Sequence, residues 1–127
     1  MKIAITGQDG FIGYHLYNSL AFIHQSYKVL DFKNEFFQNS NELDKIVSDA
    51  DIIVHLAGVN RDESEKKLLE KNLFLTKELI SSIERTNFKG KLIFTSSIQY
   101  KDDNAYGISK RISSDFFLSA SIKNNFI

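Results

Sequence analysis

The stretch Ile5-Thr6-Gly7-Gln8-Asp9-Gly10-Phe11-Ile12-Gly13 (ITGQDGFIG, 5–13) decides the fold. It holds three of the chain's six glycines, spaced three apart. Before it, KIAIT (2–6) is a short aliphatic run that reads as a strand. After it, residues 11–23 have helical period, with Ile12, Leu16, Leu20 and Ile23 on one face. A glycine turn between a strand and a helix is the context that a pyrophosphate cradle requires. Gly7 would permit the tight turn, and Gly10 would let the backbone approach a phosphate with no Cβ in the way. Gly13 would let the helix pack closely on the sheet. The helix N-terminus would add free N–H groups and the positive end of its dipole.

Three more apolar runs read as strands: YKVLD (27–31), DIIVHLAG (51–58) and KLIFTSS (91–97). Their β-branched and aliphatic content is that of strands buried on both faces of a parallel sheet. Helical segments alternate with them: 41–49; 64–87, with Leu68, Leu69, Leu75, Leu79, Ile80 and Ile83 on one face; and 105–123, with Ile108, Ile112 and Phe116 in line. The alternation predicts an α/β fold, a doubly wound parallel sheet with helices on both faces, in one domain covering 1–127. Ligands of such sheets bind beyond the carboxyl ends of the strands.

Asp31 closes the second strand, 18 residues after Gly13. It is placed to accept both hydroxyls of an adenosine ribose and to repel a 2′-phosphate. That favours NAD over NADP, with Lys33 nearby to offset the repulsion. The alternative is an ordinary loop with Asp31 as a solvated strand end.

The fourth strand ends in Thr95-Ser96-Ser97, and YGISK (106–110) follows nine residues later. With five Tyr and 13 Lys in 127 residues, a Tyr-x-x-x-Lys arises about 0.5 times by chance. Its position gives it meaning, since it opens a helix at the edge where the glycine turn would hold a dinucleotide. Tyr106 and Lys110 lie one turn apart on one helix face. A free tyrosine, with a pKa of about 10, is a poor base at neutral pH. A neighbouring ammonium stabilises the phenolate. Tyr106 could then exchange a proton with a substrate oxygen during hydride transfer, with Ser97 holding the same oxygen. The alternative is a surface tyrosine beside a solvated lysine.

Composition narrows the remaining classes. Sixteen basic residues balance sixteen acidic ones, so no net field attracts nucleic acid or anionic lipid. Cysteine is absent, which excludes disulfides and thiolate-ligated metals and fits a cytoplasmic protein. The apolar start is too short for a signal peptide or a membrane span. His15, His24 and His55 show no metal spacing, and His55, inside a strand, reads as structural. The pairs Asp49/Asp51 and Asp102/Asp103 read as solvated or capping, DESEKK (62–67) as a helix start, and Asn60 and Arg61 as candidate phosphate contacts.

Together these residues resemble the extended short-chain dehydrogenase/reductase family, NAD(P)-dependent enzymes of sugar nucleotides with a Rossmann-type fold. TGQDGFIG matches its TGxxGFIG turn, DIIVHLAG its cofactor-lining strand and turn, Asn72 a family asparagine, and SS with YGISK its serine and YxxxK. The resemblance implies Ser97, Tyr106 and Lys110 as catalytic residues. It implies Gly7, Gly10, Phe11, Ile12, Gly13, Asp31, Leu56, Ala57, Gly58, Asn72, Tyr106 and Lys110 around NAD or NADP, with no metal.

VHLAGVNR (54–61), SSIQ (96–99) and the short Ser97–Tyr106 interval are similar to reductases of bacterial capsular and O-antigen synthesis. Those act on UDP-linked 4-keto-6-deoxy-N-acetylhexosamines. Ala105 replaces a proline common in that group, and Asp31 a basic residue of NADP-dependent relatives. The family's substrate-binding half lies after the YxxxK helix, so the resemblance implies a chain truncated before it. A non-catalytic dinucleotide-binding module or gene fragment is the competing expectation. The family also implies a homodimer through helices 64–87 and 105–123.

Overall fold

Strand β1 (Lys2–Thr6) is the spine, because its side chains are apolar on both sides of the backbone. Ile3 and Ile5 point to one face and Ala4 to the other, and all three are buried. The structure is a computed structural model. It describes residues 1–23 and 26–127; His24, and the side chain of Ile23 expected on the first helix face, lie outside the described residues.

Among the described residues the chain runs β1, α1 (Phe11–Ile23), β2 (Lys28–Leu30), α2 (Ser40–Asp49), β3 (Ile52–His55), α3 (Glu65–Thr86), β4 (Lys91–Phe94) and α4 (Ala105–Asn124). Single 3₁₀ turns occupy Asn34–Gln38 and Ile98–Lys101. The sheet order is β2-β1-β3-β4, all parallel. Ala4 aligns with Leu30 on one side and Ile53 on the other, and Val54 aligns with Ile93. This is the doubly wound Rossmann-type α/β sheet that the alternation predicts. Helix α1 covers one face through Leu16, Tyr17 and Leu20 against Ile3, Ile5 and Val54. Helices α2, α3 and α4 cover the other through Leu43, Val47, Leu79, Ile83, Phe117 and Ala120.

Local chemistry fixes the helix ends. The side chains of Asn39, Ser64 and Asn104 accept the N–H groups of Glu42, Lys67 and Gly107, capping α2, α3 and α4. Asn87 and Asn125, at φ 52° and 58°, stop α3 and α4 in the left-handed conformation that asparagine tolerates. Asp44 joins α2 to α3 by accepting two hydrogen bonds from Arg85 and one from Ser82. The Arg85 guanidinium holds the Asp44 carboxyl below its usual range, with burial acting against it.

Three expectations need correction. The strands are shorter than their apolar runs: 52–55 instead of 51–58, and 91–94 instead of 91–97. β4 is not buried on both faces. Lys91 is exposed and Ile93 is 51% exposed, because α1 lies over β2, β1 and β3 and leaves that side of β4 open. The apolar residues at helical spacing are not always the buried ones. Ile12 is 63% exposed, and α4 buries Gly107, Ser109, Lys110, Ser113, Phe117 and Ala120 rather than the Ile108, Ile112 and Phe116 row.

Small polar residues therefore form the α3–α4 contact. The Thr76 and Ser113 hydroxyls are 2.8 Å apart, and Asn72 Nδ2 donates to Ser109 Oγ at 3.1 Å. Short side chains let the helices approach, and each hydroxyl finds a partner across the seam. A double-mutant cycle on Thr76→Val and Ser113→Ala, read by denaturant unfolding, is expected to show favourable coupling of about 0.5–1.5 kcal/mol. Strict additivity would remove the seam from the forces holding α4.

Candidate active site

The carboxyl end of β1 leads into the glycine turn. Thr6 is buried, and Gly7 turns the chain at φ 72°, which is unfavourable for a side chain. Gly10 N–H closes the turn onto the Gly7 carbonyl at 3.0 Å, and the Gly10 carbonyl accepts the Tyr14 N–H at 2.8 Å. The N–H groups of Phe11, Ile12 and Gly13 open α1 with no acceptor within the helix.

A Cβ on Gly13 would overlap the Gly7 carbonyl oxygen and lie 2.8 Å from Gln8 Cα. Gly13 thus lets the helix close on the turn itself rather than on the sheet. A Cβ on Gly10 would meet only the Gly7 oxygen, at 3.2 Å, and otherwise open space. A glycine facing open space at a helix N-terminus fits a pyrophosphate lying against the backbone.

Two clefts flank this turn and share Gly7, Gly10, Leu56 and Gly58. One, of about 440 Å³, continues between Asn34, Phe37 and Gln38 on one side and Val59, Lys71 and Phe74 on the other. The second, of about 360 Å³, lies between Phe11, Ile12 and Gly13 on one wall and Thr95, Ser96, Tyr106 and Lys110 on the other, with Asn60 at its side. Each is within the size range of small-molecule sites. Together they form a two-ended groove with the glycine turn at its middle, a shape that suits a dinucleotide.

Lys110 is buried at 7% exposure. Its Nζ donates to the Thr95 carbonyl at 2.9 Å and lies 4.9 Å from the centre of the Phe94 ring and 5.7 Å from that of Tyr106. Burial pushes its pKa down from the ordinary lysine value. Behind it, His55 is fully enclosed, with Nδ1 2.7 Å from Thr6 Oγ1. The Ala57 N–H donates to the same Thr6 oxygen at 3.1 Å, so Thr6 ties β1 to the turn after β3.

The groove gathers most of the residues that the sequence singles out. Gly7, Gly10, Phe11, Ile12, Gly13, Leu56, Ala57, Gly58, Tyr106 and Lys110 all line it, and Asn60 does as well. Three others stand apart. Asp31 is exposed one residue past β2 and lines neither cleft, although the adjoining Phe32 N–H reaches Gln8 Oε1 of the turn at 3.4 Å. The Ser97 hydroxyl caps a 3₁₀ turn by accepting the Gln99 N–H at 3.1 Å, and Ser96 occupies the wall beside it. Asn72 turns its amide onto main chain: Oδ1 accepts the Val59 N–H at 2.7 Å and Nδ2 donates to the Val59 carbonyl at 2.8 Å. It shapes the groove's edge from beneath.

Sequence reasoning missed Thr6, Phe94, Lys71 and the Asn34–Gln38 turn. Thr6, Phe94 and the Asn34–Gln38 turn were signalled only by proximity to strand ends, and Lys71, inside α3, by nothing local. Arg61 is exposed, and no group of three or more His, Asp or Glu side chains among the described residues is arranged to hold a metal. No helix there is long and apolar enough to cross a membrane.

The chain belongs to the NAD dependent epimerase/dehydratase family, whose model matches residues 3–124. It is 37% identical over 111 residues to the UDP-2-acetamido-2,6-beta-L-arabino-hexul-4-ose reductase of Pseudomonas aeruginosa, covering 87% of this chain and 29% of that protein. Among solved structures, it superposes on RMD of Pseudomonas aeruginosa complexed with NADPH at TM-score 0.84 and 21% identity, covering 98% of this chain and 51% of that one. It also matches the capsular polysaccharide assembling protein CapF of Staphylococcus aureus at TM-score 0.73 and 28% identity, covering 99% and 32%. The chain thus spans about half or less of the length of these proteins.

Two outcomes test this geometry. Gly7→Ala forces a Cβ to 2.7 Å from Ala57 N in a left-handed backbone, and is expected to lower unfolding stability by about 1–3 kcal/mol. Unchanged stability on chemical denaturation would contradict the close approach.

The second outcome concerns His55, whose pKa burial pushes down to about 3, helped by the Lys110 charge. An unfolded histidine takes up its proton near 6.5, so between pH 6.5 and 3 the unfolded chain binds more protons than the folded one. This group's contribution is therefore intact above pH 6.5 and falls as pH drops, by up to about 1.4 kcal/mol per pH unit. His55→Asn is expected to flatten the acid limb of stability against pH. A limb identical to the parent chain's would show that His55 is not held neutral.

Proposed function

We propose that this chain is the cofactor-binding and proton-transfer part of an NAD(P)-dependent nucleotide-sugar reductase or epimerase. The observation that carries the reading is the second cleft. One wall is the glycine turn, and the opposite wall presents Tyr106 and Lys110 beside Thr95 and Ser96. The bound dinucleotide would supply or accept hydride.

The turn's glycines and the first N–H groups of α1 take the pyrophosphate. The cleft lined by Asn34, Phe37, Gln38 and Phe74 takes the adenosine end. Asp31, past the end of β2, favours a free ribose and hence NAD over NADP. Tyr106 exchanges a proton with the substrate oxygen, Lys110 stabilises its phenolate and binds the nicotinamide-side ribose, and Ser97 donates its hydroxyl to the same substrate oxygen. The 37% identity to a UDP-sugar reductase favours a UDP-linked 4-keto-6-deoxy-N-acetylhexosamine as substrate. With it comes a cytoplasmic role in surface-polysaccharide synthesis.

The α3–α4 face is the proposed homodimer contact. Between these helices lies a shallow groove lined by Ile80, Phe116, Ala120 and the stems of Lys77 and Lys123.

One observation favours a second reading, a dinucleotide-binding module without turnover. The Ser97 hydroxyl is engaged in a local cap rather than placed on the cleft wall.

Titration of the chain with NADH and NADPH, followed by nucleotide fluorescence, tests the reading, and turnover of UDP-linked 4-keto sugars separates the two forms of it. Saturable binding with NADH preferred is expected. Absence of binding to either dinucleotide would overturn both forms, and binding without turnover would select the module. Within the enzyme reading, Tyr106→Phe should abolish turnover while preserving binding. Burial lowers the Lys110 pKa, so holding its charge away from water costs stability in the folded chain. Lys110→Met should therefore leave the melting temperature unchanged or raised while weakening dinucleotide binding and removing turnover.

A further inference from the structure

A buried ammonium keeps its charge and its place only if fixed groups replace the water it has lost. For Lys110, two such groups come from consecutive residues at the end of β4: the Thr95 carbonyl at 2.9 Å and the Phe94 ring face at 4.9 Å. A cation within about 6 Å of an aromatic centroid is attracted by the ring's quadrupole, most strongly where water is excluded. We propose that Phe94 is a positioning residue, whose ring face fixes the Lys110 ammonium at the groove wall, and that it acts on the reaction only through Lys110. The inference rests on the reading of Lys110 as a cofactor-side and proton-transfer cation.

The ring is itself held. The His55 imidazole stacks on it with centroids 5.9 Å apart and planes 25° apart, and Phe117 of α4 meets it at 5.1 Å. His55 is fixed in turn by Thr6 and by edge contacts with Phe37 and Phe117 at 6.1 and 5.3 Å. The column therefore runs from β1 through His55 and Phe94 to Lys110. It sets the ammonium's height above the sheet by ring packing, with no flexible side chain between. The groups placed around the ammonium are rings, a main-chain carbonyl and hydroxyls; the Asn72 and Ser113 side chains lie nearby around a very small cavity. No carboxylate among these groups competes for Lys110. A leucine at 94 would fill much of the same space but present no quadrupole, so the ammonium would lean toward water in the cleft.

Lysine-selective ¹³C labelling of the chain provides the test, with Lys110→Met to assign the resonance. In the parent chain the Lys110 ε-methylene is expected upfield of the exposed lysines, through the ring currents of Phe94 and Tyr106. It should move toward the bulk lysine position in Phe94→Leu and return in Phe94→Tyr. NADH binding should weaken about two- to fivefold in the leucine variant and recover with tyrosine.

A merely structural role would lower thermal stability in Phe94→Leu and remove only the Phe94 ring current from the Lys110 resonance, leaving the exchange of the Lys110 ammonium protons with water and the affinity unmoved, and that result overturns the proposal. A parent-chain Lys110 resonance coincident with exposed lysines overturns it with no variant needed. The resonance is read without dinucleotide. Failure of the cofactor reading would therefore show as absent binding in the parent chain, whatever the resonance shows of Phe94.

Discussion

The structure depends on one close approach, the contact between the backbone leaving β1 and the backbone leaving β3. Gly7 stands so near Ala57 that no side chain fits between them. Three interactions weld the junction. The Leu56 N–H donates to the Thr6 carbonyl at 3.2 Å, the Ala57 N–H to the Thr6 hydroxyl at 3.1 Å, and that hydroxyl pairs with His55. Neighbouring parallel strands diverge once their ladder ends, and here the divergence is held shut for one further residue. The glycine turn, the Leu56–Gly58 turn and both clefts take their positions from this weld. Asn72 extends it by holding Val59 through both atoms of its amide.

Much of this was legible in the sequence, for a definite physical reason. A strand, a three-glycine turn and a helix can be read from local rules, because each glycine answers a local steric problem. The helix start near Ser64 and the order of the four strands were likewise local, although the apolar runs 27–31, 51–58 and 91–97 overstate strands that span 28–30, 52–55 and 91–94. The α4 face was not. Its Ile108, Ile112 and Phe116 have helical spacing, yet the buried side carries Ser109, Lys110 and Ser113. Periodicity assumes that burial follows hydrophobicity. In α4, hydroxyls pair across a helix–helix seam and the lysine reaches a carbonyl, so polar groups satisfied by hydrogen bonds take the inner positions. Asn72 was picked out by its family position, but its engagement with main chain depends on the path of residues 58–60, which no local rule sets.

β4 shows the same limit from the other side. Its sequence is nearly as apolar as that of β3, yet Ile93 stands half exposed while Val54 beside it is buried. The difference is what lies above: α1 reaches over β3 and no further. On the outer edge of β4, Ile127 already forms a parallel rung, accepting the Leu92 N–H at 2.6 Å and donating to the Gly90 carbonyl at 3.2 Å. The connection from β4 to Ile127 is α4, which packs on the opposite face through Phe117 and Ala120, so it leaves Ile93 uncovered.

The electrostatics of the groove follow from the same packing. The chain carries no net charge, so a phosphate is not drawn in by the field of the whole molecule. What faces the second cleft is a set of main-chain N–H groups at the head of α1 on one wall and a desolvated ammonium, Lys110, on the other. Both are fixed before any ligand arrives, the first by the glycine turn and the second by Thr95 and Phe94. Enclosure works on the two titratable groups in one direction. Burial lowers the pKa of Lys110, and burial together with the Lys110 charge keeps His55 neutral. A protonated His55 would set a second positive charge behind Phe94 and push the ammonium out. The neutral ring therefore permits a lone cation to remain at the wall, in a low-dielectric setting where its field is weakly screened.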